Sequence, residues 1–183
     1  MAAEDDRVRG ELAADRSLFA AGYHPDMEAV HRRNAARLRA IVGEIGWPGR
    51  SAVGDEAAHA AWRILQHSIG EPELMRGMLP SLEQAAAAGE ARPAELAMLE
   101  DRIRVLEGRP QRYGTQYDWD DAGMWMVPIG TVEEREGVDA RRRSVGLDRM
   151  VWRKPPPPDE SPPDDVEARR RDMEEWARRV GWR

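Results

Sequence analysis

Apolar residues recur at helical spacing along most of this chain, and glycine and proline interrupt them at short intervals. Residues 4–21 carry a loose stripe of Val8, Leu12, Leu18 and Phe19, and Tyr23-His24-Pro25 ends it. A second helix is expected over 26–45, capped near Asp26, with Val30, Leu38, Ile41 and Ile45 on one arc. Gly46 suits the left-handed position after a helix, and Pro48 forbids its continuation. A third helix over 55–68 follows (Ala58, Ala61, Leu65, Ile69), then one over 71–88 in which Pro80 marks a kink or a break. Pro93 suits the first turn of a helix over 93–107, whose main stripe is Leu96, Leu99, Ile103 and Leu106. Met98 and Val105 give that helix a second apolar patch.

Beyond residue 108 the pattern changes. Segments 111–117 and 124–129 read as two short extended pieces around Trp-Asp-Asp-Ala-Gly, and 138–146 as a short helix. A proline-rich run then leads to an amphipathic helix over 166–180 (Val166, Met173, Trp176, Val180). The expected fold is mainly α: a compact multi-helix single domain with a short β-hairpin-like insertion and a C-terminal helix after a proline-rich linker. Its parts are a body over 1–153, a linker over 154–164 and the last helix over 165–183.

Several polar residues break the phase. On the second helix His31, Asn34 and Arg37 share the apolar arc. On the third, Asp55, His59, Trp62 and Gln66 edge the stripe. His67 lies on the other side, near the C-terminus, where the helix dipole favours a protonated imidazole. Asp101 and Arg102 flank the second patch of the helix over 93–107. Gln-Arg-Tyr-Gly-Thr-Gln, 111–116, is expected to fold back against 46–67, so that both stretches wall one small polar site. The plainer alternative is that these groups are satisfied in buried hydrogen-bond networks or sit at the core boundary.

Composition narrows the classes. Net charge over 183 residues is −6, and both signs are interleaved, unlike the basic face of a nucleic-acid binder. No apolar run is long enough to span a membrane, and the charged N-terminus has no signal-peptide core. Zero cysteines exclude disulfides, thiolate metal sites and cysteine catalysis. A cytoplasmic protein with no nucleic-acid or membrane partner is expected. The glycine-rich turn 46–54 could offer N–H groups to an anion, but it matches no phosphate-loop pattern.

The chain resembles an uncharacterised bacterial family, frequent in actinobacteria. The resemblance covers about 25–150. It rests on His31 and Asn34, Gly46-Trp47-Pro48, Val53-Gly54, Trp62, Gln66-His67, Asp101-Arg102, and Gln111, Tyr113, Gly114, Thr115 and Gln116, with Asp139, Arg142 and Gly146-Leu147 beyond them. It brings no activity with it. Its polar positions coincide with those picked out by helical phase.

These residues suit acid–base chemistry on a small polar metabolite, of hydrolase, lyase or cyclase type and independent of metal. His67 and His31 are the candidate bases and Asp101 the carboxylate that orients them. Asn34, Trp62, Gln66, Arg102, Tyr113, Thr115 and Gln116 are the candidate substrate-binding groups. There is no Gly-x-Ser-x-Gly elbow for a serine nucleophile. No metal or cofactor is expected. The alternatives are a non-catalytic binding or regulatory protein, with a homodimer or protein partner at the C-terminal helix, and a metalloprotein. The metal reading uses two Glu-x-x-His motifs, Glu28/His31 and Glu56/His59.

Overall fold

The computed structural model describes residues 1–14, 23–158 and 160–183. Helix α1 (Ala2–Ala14) is followed by α2 (Pro25–Ile45), the one-turn α3 (Arg50–Val53), α4 (Asp55–His67), α5 (Pro72–Ala87) and α6 (Pro93–Leu106). Strands β1 (Tyr117–Trp119) and β2 (Met126–Pro128) then pair antiparallel, Asp118 opposite Val127. Helices α7 (Val138–Ser144) and α8 (Val166–Arg179) complete the chain. The fold is the expected mainly helical single domain. Among the described residues no helix is long and apolar enough to cross a membrane.

The apolar stripes account for the packing. Leu38 of α2, Leu65 of α4, Met75 and Leu82 of α5 and Leu99 of α6 are fully buried in one core. Val8 and Leu12 pin α1 to Met27 and Val30 of α2 in a smaller cluster. Leu18 and Phe19, expected on the first stripe, lie outside the described residues.

Local chemistry corrects several boundaries. The cap of α2 is His24, not Asp26: its Nδ1 accepts from the Asp26 N–H, and Pro25 occupies the first helical position. Pro80 does not divide the helix over 72–87, which is assigned as one element. The turn after Gly46 is partly helical. Its free N–H groups are already taken, because the Glu90 carboxylate accepts from the Ser51 N–H at 2.8 Å. Gly49 is required there: a Cβ would stand 2.7 Å from that carboxylate. The extended pairing is also shorter than expected, and 111–116 forms a shaped loop, not a strand.

Helix α8 packs on its own domain. Trp176, Ala177 and Trp182 belong to the main core. The Trp182 indole N–H donates to the Ile69 carbonyl at 2.7 Å, and the Arg76 guanidinium lies over its ring. The proline-rich segment is therefore a connection that returns the chain to the body. Trp176→Ala should cost about 3–5 kcal/mol, read as a fall in the urea midpoint of the full chain. A change under about 1 kcal/mol would show that this helix is not part of the core.

Candidate functional site

Three helices meet at one carboxylate. Asp5 falls in helical phase with Val8 and Leu12, so packing α1 on α2 carries it inward, to 2% exposure. The His31 Nε2–H of α2 donates to its Oδ1 at 2.7 Å, and the His67 Nδ1–H of α4 donates to its Oδ2 at 2.5 Å. The Tyr23 hydroxyl hydrogen-bonds His31 Nδ1. The two imidazoles lie 5.2 Å apart between centroids.

The donor chain sets the tautomers. Burial, with the nearby Glu28 and Asp5 charges, raises the Tyr23 phenol far above its ordinary range, so it keeps its proton and donates. His31 Nδ1 accepts it, and His31 Nε2 carries the hydrogen given to Asp5. Burial of Asp5 opposes its ionisation, yet the hydrogen bonds and charges of His31 and His67 hold its carboxyl well below the usual carboxylate range. Burial pushes His67 below the ordinary imidazole value of 6.5, only partly offset by Asp5, while the Arg102 charge acts in the same direction as burial. His67 is therefore mainly neutral at pH 7, as a candidate base must be. With Nδ1–H committed to Asp5, His67 Nε2 is left as a lone-pair nitrogen with no hydrogen-bond partner among the described residues.

These groups line a cleft of about 960 Å³. Arg102 of α6 lies in the same cleft, and its Nε–H donates to the Gln116 amide oxygen at 2.9 Å. Burial lowers its pKa to about 10, opposed in small part by Tyr23 and reinforced by the Arg9 charge, so it stays a cation. The far wall comes from α8, through Arg169, Met173 and Ala177.

The ten residues singled out in the sequence separate into two groups. His31, His67, Arg102 and Gln116 line the cleft. The others make local structure. Asp101, fully buried, accepts the N–H groups of Arg112 (2.7 Å), Tyr113 and Thr115 (2.9 Å) and the Thr115 hydroxyl (3.0 Å). Its oxygens are thus consumed by the loop, and the carboxylate that orients the histidines is Asp5. From the other side the Arg142 guanidinium donates to the Tyr113 and Gly114 carbonyls. Gly114 sits at φ 64°, a left-handed backbone conformation in which any side chain is strained. Loop 111–116 thus folds onto α6, not onto 46–67. It still meets α4 at one atom, since the Gln66 and Gln116 amides both donate to the Met98 carbonyl. Trp62 donates to the Glu95 carbonyl at 2.8 Å, and Asn34 donates to the Met1 carbonyl. Asp5 and Tyr23 were missed from the sequence. Phase with Val8 and Leu12 could have found Asp5.

The two Glu-x-x-His motifs do not converge. Glu28 pairs with Arg32, and His59 hydrogen-bonds Glu95 at 2.7 Å. The set with metal-ligand spacing among the described residues is Asp5, His31 and His67, whose ligand atoms lie within 4.8 Å of one another. In the arrangement seen, those atoms are hydrogen-bonded to each other.

Two predictions follow from this geometry. The depressed His67 value means that the unfolded chain binds a proton below about pH 6.5 that the native state resists, so stability is lost as pH falls from there. Asp5 contributes in the same sense: its stabilisation is present above its unfolded value and is lost as pH falls through the folded one. The urea midpoint should therefore drop between pH 7.5 and 5, and His67→Gln should flatten that slope; parallel profiles would refute the assignment. Asp101→Asn should cost about 3 kcal/mol or more, because three backbone N–H groups lose a charged acceptor. A loss below about 1 kcal/mol would mean that the loop does not hang on this carboxylate.

Comparisons with known proteins agree with a family of unassigned role. No curated protein and no solved structure matches the chain. The model of one protein family matches residues 3–152, a span that includes Asp5 and every other residue of the cleft named above except those of α8. The chain belongs to the family of unknown function DUF6624.

Proposed function

We propose that the protein is a small acid–base enzyme acting on a polar metabolite, with His67 Nε2 as the proton-transferring atom. What carries this reading is the Asp5–His67 hydrogen bond at the wall of the cleft. A carboxylate on Nδ1 fixes the ring and its tautomer and stabilises the imidazolium that forms once Nε2 takes a proton. A neutral imidazole at pH 7 is in the state a general base needs. His31 and Tyr23 act through Asp5: they hold its orientation and share its charge, and are positioning groups. Arg102 and Gln116 would bind substrate. Asp101 leaves the catalytic set and becomes the residue that builds the loop carrying Gln116.

A second reading has its own observation. Asp5, His31 and His67 form a two-histidine, one-carboxylate set of the kind that binds divalent transition metals. Binding would require both imidazoles to turn their N–H positions over to the ion. The non-catalytic reading, a pocket that only binds, shares the same residues.

The test is incubation of the purified full chain with a cell metabolite extract, followed by mass spectrometry. Consumption of a compound should fall about 10²–10⁴-fold in His67→Gln, the usual share of a general base. Its rate should rise with pH through an inflection below 6.5. Turnover stopped by a chelator and restored by added zinc would assign the triad to a metal ion. A compound retained but unchanged would assign the cleft to binding alone.

A further inference from the structure

Most charges of the cleft are matched, and among the described residues Arg102 and the exposed Arg183, which donates to the Leu106 and Val105 carbonyls, are the arginines of its lining without a carboxylate. Asp5 is matched by two histidines, Asp118 by Arg169 at 2.9 Å, Asp121 by Arg170 at 2.5 Å, and Glu160 by Arg9 at 3.1 Å. Asp120 pairs with Arg153 and Glu174 with Arg178, so each acid of the lining already has a cationic or hydrogen-bond-donating partner. Arg102 has no carboxylate partner among the described residues. Its one side-chain hydrogen bond among the described residues is from Nε–H to a neutral amide. Taking a guanidinium partly out of water without a counter-charge is costly, and structures normally supply one.

The free part of Arg102 has a definite shape. With Nε–H used on Gln116, the two terminal nitrogens remain as a planar fork. The fork is held in place, because Gln116 is itself pinned: its amide N–H groups go to the Met98 carbonyl at 3.3 Å and the Thr115 hydroxyl at 2.9 Å. Its backbone N–H goes to the fully buried Gln111. A rigid guanidinium fork fits the paired oxygens of a carboxylate or a phosphate, and a Lys in its place would offer only a point charge. Arg102 and His67 line the same cleft.

We propose that the cleft takes its ligand by an oxyanion group, carboxylate or phosphate, seated on the Arg102 fork beside His67. The proposal rests on the reading of this cleft as the substrate site and names the class of molecule that enters it. An anion on Arg102 supplies the missing counter-charge and places the remainder of the molecule along the wall that carries His67 Nε2. Gln116 and the loop built on Asp101 are positioning elements for that fork. This gives the buried motif residues a share in binding without contact with the ligand.

The experiment is isothermal titration of the full chain with inorganic phosphate and, separately, with succinate, paired with NMR of the arginine Nε–Hε resonances. Saturable binding with Kd of about 1 mM is expected for at least one of the two, a scale fitting a small ion on one fork. The Arg102 Nε–Hε resonance should shift. Arg102→Gln should weaken binding at least tenfold, and Arg102→Lys should retain part of it. The lysine variant keeps the test valid if the glutamine variant is poorly folded. Preference for phosphate over succinate, or the reverse, tells which oxyanion the ligand carries. Binding unchanged in both variants, or no saturable binding of either anion, overturns the proposal. His67→Gln should bind the anion as the parent does. That result with a chain that turns over nothing would leave the subsite standing and remove the acid–base reading.

Discussion

A carboxylate that is 2% exposed must either lose its charge or find donors. Asp5 finds two imidazole N–H groups, and the arrangement that satisfies it also decides how α1, α2 and α4 meet. Neither histidine could be replaced by an apolar residue without leaving one oxygen short of a donor. Packing and chemistry are coupled here, because the bond that keeps Asp5 ionised is the bond that fixes the free nitrogen of His67. The support extends further. Trp176 of α8 meets Tyr23 edge-on at 5.0 Å, and Tyr23 holds His31. A core tryptophan of α8 thus stands four contacts from the cleft nitrogen, through Tyr23, His31 and Asp5.

Asp101 answers the same physical demand differently. It is more deeply buried than Asp5, and its donors are mainly backbone N–H groups of one loop, with a hydroxyl beside them. Such donors cannot relay a proton or release the carboxylate. The result is a rigid loop of six residues whose last member reaches Arg102. Two buried aspartates in one small domain therefore do opposite things: one freezes a backbone, and the other poises a side chain.

That contrast marks the limit of the sequence. The helices were legible because their stripes are continuous and glycine or proline ends them. So was something polar at His31, since a polar residue on an apolar arc needs a partner; Arg102 stood out at the edge of an apolar patch, and His67 and Gln116 through the motifs that carry the family resemblance. Which aspartate partners which histidine was not legible. Asp101 and Asp5 are both acids in helical phase with apolar neighbours, and only the docking of α1 distinguishes them. Loop 111–116 read as extended for a related reason: its conformation is imposed from outside, by Asp101 on its N–H groups and Arg142 on its carbonyls. Local propensity carries no trace of clamps supplied by residues 11 to 14 and 28 to 29 positions away. The C-terminal helix read as amphipathic, but its pattern could not say whose surface it covers.

The placement of that helix bears on what the cleft selects. The chemical groups, Asp5, His31, His67, Arg102 and Gln116, all fall in the span shared with the family, 3–152. The opposite wall does not: Arg169, Met173 and Ala177 come from α8, beyond that span. In the function proposed above, the His67 nitrogen and the Arg102 guanidinium fork determine what reaction is feasible and which charge is held. The shape of what fits between them depends on the facing wall. Here that wall is anchored by Trp176 and Trp182 in the main core, so it is as fixed as the helices that carry the chemistry. On the proposed reading, the reaction and the ligand's charge belong to the family span, and the ligand's shape to α8. Replacing wall residues that face the cleft, without touching the two buried tryptophans, would alter the shape accepted while leaving the reaction in place.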